Sequence, residues 1–316
     1  MDIAKLSAAI APQNLRSCLI SREGQLIYEH YREPRTRQEI AKINSCTKSI
    51  LSALICIAVD QGLLPQPEAL LSQFYPQLLL DEDRRKREIT LEHLLTMSAG
   101  FNWTEFGGQN SFPRMTRSAN WTEFVLEQKL SHPPGEHMEY NSGNSQLLAA
   151  ILMQATGMPV ARFAELQLFG PLGIDRYEWE LDPQGIHTGG FGLRLLPAGL
   201  LNFGQLYLQQ GCWQNRQLIS ADLVQRSTAT AILAEAPRRG GYGWHWWTDS
   251  YAYTTADSSR TELTYFNARG YGGQFVYVLP QLKTVVVLTQ DQQGRHKPPV
   301  DVFRELIAPL LAGELL

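Results

Sequence analysis

Cysteine is scarce in this sequence, neither sign of charge dominates it, and no apolar run is long enough to cross a bilayer. Each lack removes a class of function. The four cysteines, Cys18, Cys46, Cys56 and Cys212, form no C-x-x-C pair. Cys46 and Cys56 fall on one expected helix with roughly 15 Å of rise between them, beyond the reach of a disulfide. Free thiols in a reducing compartment are the simplest account, so the expected location is cytoplasmic. With 28 Lys+Arg against 31 Asp+Glu, the net charge is -3 and the pI about 6.2. That balance gives no electrostatic footprint for nucleic acid or an acidic membrane. No stretch approaches the ~18 apolar residues of a membrane span. The start, Met1-Asp2-Ile3-Ala4-Lys5-Leu6, lacks the basic and then apolar pattern of an export signal. The seven histidines show no metal-ligand spacing, with no H-E-x-x-H, and His132 and His137 border a Pro-Pro-Gly turn. No metal and no cofactor are expected. A G-x-S-x-G elbow is also missing: Thr96-Met97-Ser98-Ala99-Gly100 comes nearest, but it lacks the first glycine and follows a helix.

What is present begins with the order of elements. Cys18-Leu19-Ile20 and Leu26-Ile27-Tyr28 flank a turn at Arg22 to Gln25 and predict a β-hairpin. Ile50 to Val59 predicts an apolar helix closed by Gly62, and the middle of the chain is mostly helical, with a second apolar helix from Ser145. From Gly240 the pattern changes. Tyr242 to Trp247 and Tyr251 to Tyr253 are aromatic-rich as strands are, and Gln274–Leu279 and Thr284–Thr289 read as neighbouring strands. Strands at both ends with helices between them predict an α+β fold. Its antiparallel sheet is built from both chain ends, residues 1–62 and 240–316, and a mainly helical region, 63–239, is inserted. Residues 101–118 form a long polar loop, more often a functional wall or lid than a bare connection.

Asn44-Ser45-Cys46-Thr47-Lys48-Ser49 stands at the head of the first apolar helix. On a helix, Ser45 and Lys48 share a face, which sets an amine beside a hydroxyl. A serine hydroxyl is a poor nucleophile until a positioned base takes its proton, and a lysine in apolar surroundings can serve as that base. The spacing alone is not decisive: Ser-x-x-Lys arises about once by chance in a chain of this length, and Ser, Thr and Asn are ordinary helix caps. Acyl transfer also needs a proton donor for the leaving group and donors for an oxyanion. Tyr140-Asn141-Ser142-Gly143-Asn144 supplies hydroxyl and amide groups just before the second apolar helix, although a cap and a packing ring would account for them as well. Gly270-Tyr271-Gly272-Gly273 leads into a strong strand, where glycines permit either close substrate approach or a tight turn.

The three pieces taken in order resemble the penicillin-recognising serine hydrolases. The likeness runs over roughly residues 15 to 312 and is strongest to the class C β-lactamase-related branch, which includes esterases and 6-aminohexanoate-oligomer hydrolases. Leu94 to Gly100, Pro134-Gly135-Glu136, Tyr140 to Gly143, Pro171 to Ile174 and Gly272-Gly273-Gln274 all fall in the order of that branch. The resemblance implies a β-lactamase/transpeptidase-like fold and a catalytic set of Ser45 as nucleophile, Lys48 and Tyr140 as acid and base, and the Ser45 and Tyr271 amides as oxyanion donors. Asn141, Ser142, Gly270, Gly272 and Trp121 become candidate substrate contacts, and Trp103 and Phe106 with Trp121 a candidate acyl pocket. Two departures stand out. Where the branch often reads Tyr-x-Asn, this chain has Asn141 in the middle and Ser142 third. Where β-lactamases carry Lys-Thr-Gly, it has Ala268-Arg269-Gly270.

The function expected is hydrolysis of an amide or ester bond in a small molecule, with no nucleic-acid or membrane partner. The alternatives are a β-lactamase or D-amino-acid peptidase, and a catalytically idle binding protein of the same fold.

Overall fold

The computed structural model describes residues 2–235, 238–254, 259–291 and 298–313. Its first helix, α1 (Ile3–Ile10), leads into a hairpin of β1 (Ser17–Arg22) and β2 (Gln25–Tyr31). The hairpin turns at Glu23 and Gly24, both with positive φ, which matches the twist of the flanking strands. The central helix α2 (Thr47–Asp60) follows, then α3 (Ser142–Thr156) and α4 (Pro197–Leu208). The chain then returns to the sheet through two short strands, β3 (Ile232–Leu233) and β4 (Gly241–Tyr242). Four longer ones complete it: β5 (Trp247–Thr254), β6 (Arg260–Gly270), β7 (Gln274–Leu279) and β8 (Thr284–Thr289).

The eight strands form one antiparallel sheet in the order β2-β1-β8-β7-β6-β5-β4-β3. The register Leu19↔Val287 joins the N-terminal hairpin to the last strand, so the two chain ends share one sheet. This is the expected α+β architecture.

Both faces of the sheet are covered, which is why β7 and β8 are apolar at every second position on each side. Val276, Val278, Val285 and Val287 face the helical region together with Ile50 and Leu54 of α2. Phe275, Tyr277, Val286 and Leu288 face the opposite way, onto Leu6 and Ile10 of α1 and Phe303, Ile307 and Leu311 near the C-terminus. Helix α4 crosses close to the sheet at Gly204, where a β-carbon would lie 2.5 Å from Val285 Cγ1 and 2.8 Å from Val276 Cγ1. Helix α2 is buried from Thr47 to Val59, a helix apolar nearly all round and therefore central to the core.

One sequence expectation fails locally. Tyr242 to Trp247 is not one strand: the pairing stops at Tyr242 and resumes at Trp247. Between them the backbone folds back through His245, whose φ is 60°, so that His245 N–H reaches the Leu95 carbonyl at 3.0 Å. Trp244 and Trp246 are driven into the core, Trp246 stacking on Phe203. No single helix among the described residues is long and apolar enough to cross a membrane. The pair Ser142–Thr156 and Val160–Phe169 passes on composition but is bent by 73°.

Candidate active site

Ser45 lies in a 3-10 turn, Asn44–Cys46, that immediately precedes α2. Asn44 adopts φ 49°, a left-handed conformation that asparagine tolerates better than most residues. Its side-chain amide donates to the Tyr271 carbonyl at 2.6 Å, and Cys46 Sγ lies 3.4 Å from the Gln274 carbonyl. The nucleophile candidate is thus tied to the end of β6 and the start of β7. Gly270 makes this approach possible, because a β-carbon there would overlap the Ile43 carbonyl oxygen and sit 3.3 Å from Cys46 N.

Lys48 is 1 % exposed. Its amine donates to Ser45 Oγ at 3.2 Å, Ser142 Oγ at 3.0 Å and the Gly190 carbonyl at 2.9 Å. Three acceptors match the three hydrogens of an ammonium group. Gly190 is held in turn by a buried amide network. Gln146 on α3 accepts from Gly189 N–H at 2.9 Å and donates to Asp182 at 2.9 Å.

Tyr140 comes to the same place in a different pose from the one its expected role suggests. Its ring lies 4.8 Å from Lys48 Nζ and stacks on Trp247 at 5.9 Å, so the amine meets the π face. Ser142 is the hydroxyl that contacts Lys48. It also donates to Glu105 Oε1, while Ser142 N–H donates to Glu105 Oε2 at 3.0 Å and Trp103 Nε1 donates to the same oxygen at 2.8 Å.

These groups open onto a cleft of about 870 Å³ lined by Ser45, Glu105, Tyr140, Ser142, Gly270 and Tyr271, among others. Phe106, Phe112 and Phe191 form an aromatic wall, with edge-on contacts at 5.4 and 5.1 Å. Arg238, Arg239 and Arg269 reach it from the other side. The Tyr271 side chain is 70 % exposed at the mouth.

Three candidates do not line the cleft. Asn141 is buried as the N-cap of α3, its Oδ1 accepting from Gly143 N–H at 2.7 Å and Asn144 N–H at 3.2 Å. Gly272 supplies the positive-φ turn after Tyr271. Trp121, 6 % exposed, stands behind the wall and stacks on Phe191 at 5.9 Å. Trp103 is likewise buried and serves as a donor to Glu105, whereas Phe106 is on the rim. Ser98 is buried and bonded to Thr96, away from the cleft. Sequence reasoning missed Glu105, Phe112, Gly190 and Phe191; only the polar loop 101–118 pointed toward the first two.

The Beta-lactamase family model matches residues 17–308 of this chain. The chain belongs to the Beta-lactamase family. It is therefore an enzyme of the serine-hydrolase class that this family represents. The following relatives are distant in sequence. The chain is 23% identical to the D-alanyl-D-alanine-carboxypeptidase/endopeptidase AmpH of Escherichia coli (strain K12), over 92% of this chain and 83% of that protein. It is 25% identical to the esterase EstB of Burkholderia gladioli, over 55% of this chain and 52% of that protein. Among solved structures, a proposed 6-aminohexanoate-dimer hydrolase from Bacillus anthracis superposes with a TM-score of 0.80 at 19% identity, covering 98% of this chain and 82% of that one. The octameric penicillin-binding protein homologue from Pyrococcus abyssi gives 0.73 at 19% identity, over 99% and 78%. A class C beta-lactamase gives 0.74 at 15% identity, over 98% of both chains. At these identities the superpositions establish the shared fold.

Proposed function

We propose that this Beta-lactamase family member cleaves an amide or ester bond of a small molecule through an acyl-enzyme on Ser45. The observation that carries the reading is the 3.2 Å contact between the buried Lys48 amine and Ser45 Oγ at the floor of an open cleft. Lys48, once it has given up one of its three hydrogens and is the neutral amine, takes the serine proton as the hydroxyl attacks the acyl carbon. The Ser45 and Tyr271 amides, on two segments joined by the hydrogen bond from the Asn44 side chain to the Tyr271 carbonyl, receive the oxyanion. Tyr140 is the partner of Lys48 that the resemblance implies for returning a proton to the leaving group, but it meets the amine with its ring face rather than its hydroxyl. Water then releases the acyl group. The aromatic wall suits an apolar acyl portion. A cytoplasmic site of action belongs to the same proposal, supported by four cysteines that are all free.

A second reading, hydrolysis of a β-lactam or a D-amino-acid peptide, is favoured by Arg269 on the cleft and by the description of the Escherichia coli relative. Turnover of a chromogenic cephalosporin separates it from the first.

The deciding experiment is intact mass after fluorophosphonate treatment, with peptide mapping and with Ser45→Ala and Lys48→Ala in parallel. One adduct on Ser45, far slower without Lys48, supports the reading. No adduct where a control serine hydrolase labels fully leaves an idle binding protein of this fold.

A further inference from the structure

We propose that Glu105 is a second proton-holding group of this site, acting on Lys48 through the Ser142 hydroxyl. The inference rests on the reading of Ser45 and Lys48 above and deepens it.

The direction of the hydrogen bonds carries the argument. An ionised carboxylate only accepts, and Glu105 receives three donors: the Ser142 hydroxyl on Oε1, and Ser142 N–H and Trp103 Nε1 on Oε2. The one Ser142 hydroxyl hydrogen is therefore committed to Glu105, and its lone pairs face Lys48 Nζ at 3.0 Å. The order is Lys48 N–H to Ser142 O–H to Glu105. A merely structural carboxylate would not need two of its three donors to come from the residue that touches the base. Nor is Glu105 buried out of reach, since it lines the cleft with Ser45 and Ser142.

The chain of bonds gives a balanced proton path. With Lys48 charged and Glu105 ionised, Lys48 passes a proton to Ser142 Oγ as Ser142 passes its own to Glu105. The result is a free amine and a neutral carboxylic acid, with no change in total charge. As Ser45 Oγ bonds to the acyl carbon, its proton moves to that amine, and the carbonyl π pair moves to the oxygen. When the tetrahedral species collapses, the bond to the leaving group breaks. Ser142 donates its proton there and is reprotonated from Glu105, which returns to carboxylate. Glu105 thus performs the storage that Tyr140, whose ring and not its hydroxyl faces Lys48, is not posed for in this structure.

The test is the rate of fluorophosphonate labelling at Ser45 across the pH range, for the full chain and for Glu105→Gln, Glu105→Asp and Ser142→Ala, with a thermal melt for each. Glutamine keeps the shape but not the full acceptor pattern: with its oxygen in the Oε2 place to take the Ser142 N–H and Trp103 Nε1 donors, its NH2 faces Ser142 Oγ as a donor, and it cannot store a proton. The expected result is about 100-fold slower labelling for Glu105→Gln, with one ionisation missing from its pH profile, and partial recovery of rate and profile in Glu105→Asp. Ser142→Ala cuts the same path and leaves the carboxylate in place with one donor fewer, and it carries the test should Glu105→Gln not fold. A wild type that labels at Ser45 beside a folded Glu105→Gln or Ser142→Ala with the same rate and profile would overturn this inference alone. A wild type that does not label would remove the reading on which it rests.

Discussion

The carbonyl oxygen of Gly190 lies 2.9 Å from Lys48 Nζ, in a loop remote in sequence from both Ser45 and Ser142. Among the described residues it is the one hydrogen-bond partner of the amine that is not a hydroxyl, so it orients Lys48 without competing for its proton. A β-carbon at Gly190 would sit 3.0 Å from Lys48 Nζ and 3.2 Å from Ser142 Oγ.

Gly190→Ala is expected to push the amine off Ser45 and to slow acylation at least about 10-fold. Because the added carbon also meets Ser142 Cβ and Oγ at 3.2 Å, stability should fall by about 1–3 kcal/mol. Labelling kinetics read together with urea denaturation check both halves. Unchanged labelling would mean that Lys48 needs no third partner.

Gly270→Ala tests the other wall of the site. Here the added carbon meets backbone, the Ile43 carbonyl and Cys46 N, and neither can swing aside. The turn carrying Ser45 must move away from β6, separating the Ser45 and Tyr271 amides. Losing one donor of an oxyanion hole costs about 10²–10³ in rate. The expected outcome is a folded protein whose Ser45 labels at least about 100-fold more slowly. Labelling within a few-fold of wild type would remove Tyr271 from the proposed oxyanion site.

What the sequence could convey follows from distance along the chain. Ser45 and Lys48 are one helical turn apart, so their meeting depends only on local geometry, and the hairpin at Glu23-Gly24 is equally local. The apolar runs at β7 and β8 marked neighbouring strands, although their pairing with β1 could only be inferred from the alternation of elements. Glu105 lies 37 positions from Ser142 and sits in a loop without periodicity. Gly190 contributes a carbonyl that any residue possesses. His245 sits at positive φ inside an aromatic run that reads as strand, because tertiary contacts with Leu95 and Ser49 override the local preference. Asn141 reads both as a helix cap and, by resemblance, as a substrate contact; it caps its helix and does not line the cleft.

His245 makes a prediction about acid stability. It is fully buried, with Nε2 3.0 Å from Ser145 Oγ and Nδ1 unpartnered among the described residues. Burial first, and then the charge of Lys48, lower its pKa from 6.5 to about 3. The unfolded chain binds a proton on this imidazole below about pH 6.5 and the folded chain does not. The contribution is complete above that pH and is lost as pH falls toward 3, at up to ~1.4 kcal/mol per pH unit. His30, His93 and His187 are also lowered by burial, so the variant difference is the readout. His245→Asn, which suits the positive φ, should unfold more easily in urea near pH 7.5 yet decline less steeply between about pH 7 and pH 5. Parallel declines would count against a neutral buried His245.

The aromatic wall predicts how the acyl portion is chosen. Phe191 faces the cleft, edge-on to Phe112 at 5.1 Å, and Trp121 is stacked against it from behind. Removing the Phe191 ring opens the wall; because Phe191 follows Gly190, whose carbonyl holds the Lys48 amine, turnover of the short ester serves as the control. The hydrolysis of a p-nitrophenyl hexanoate should therefore lose about 10-fold or more in kcat/KM, chiefly through KM, while the acetate is little changed. Trp121→Ala should reproduce part of that selectivity loss and also cost about 3–5 kcal/mol of stability, because it leaves a cavity in the core. Trp121→Phe should restore most of both. Equal losses on the short and long esters in Phe191→Ala would show that the acyl chain lies elsewhere, on the arginine side of the cleft.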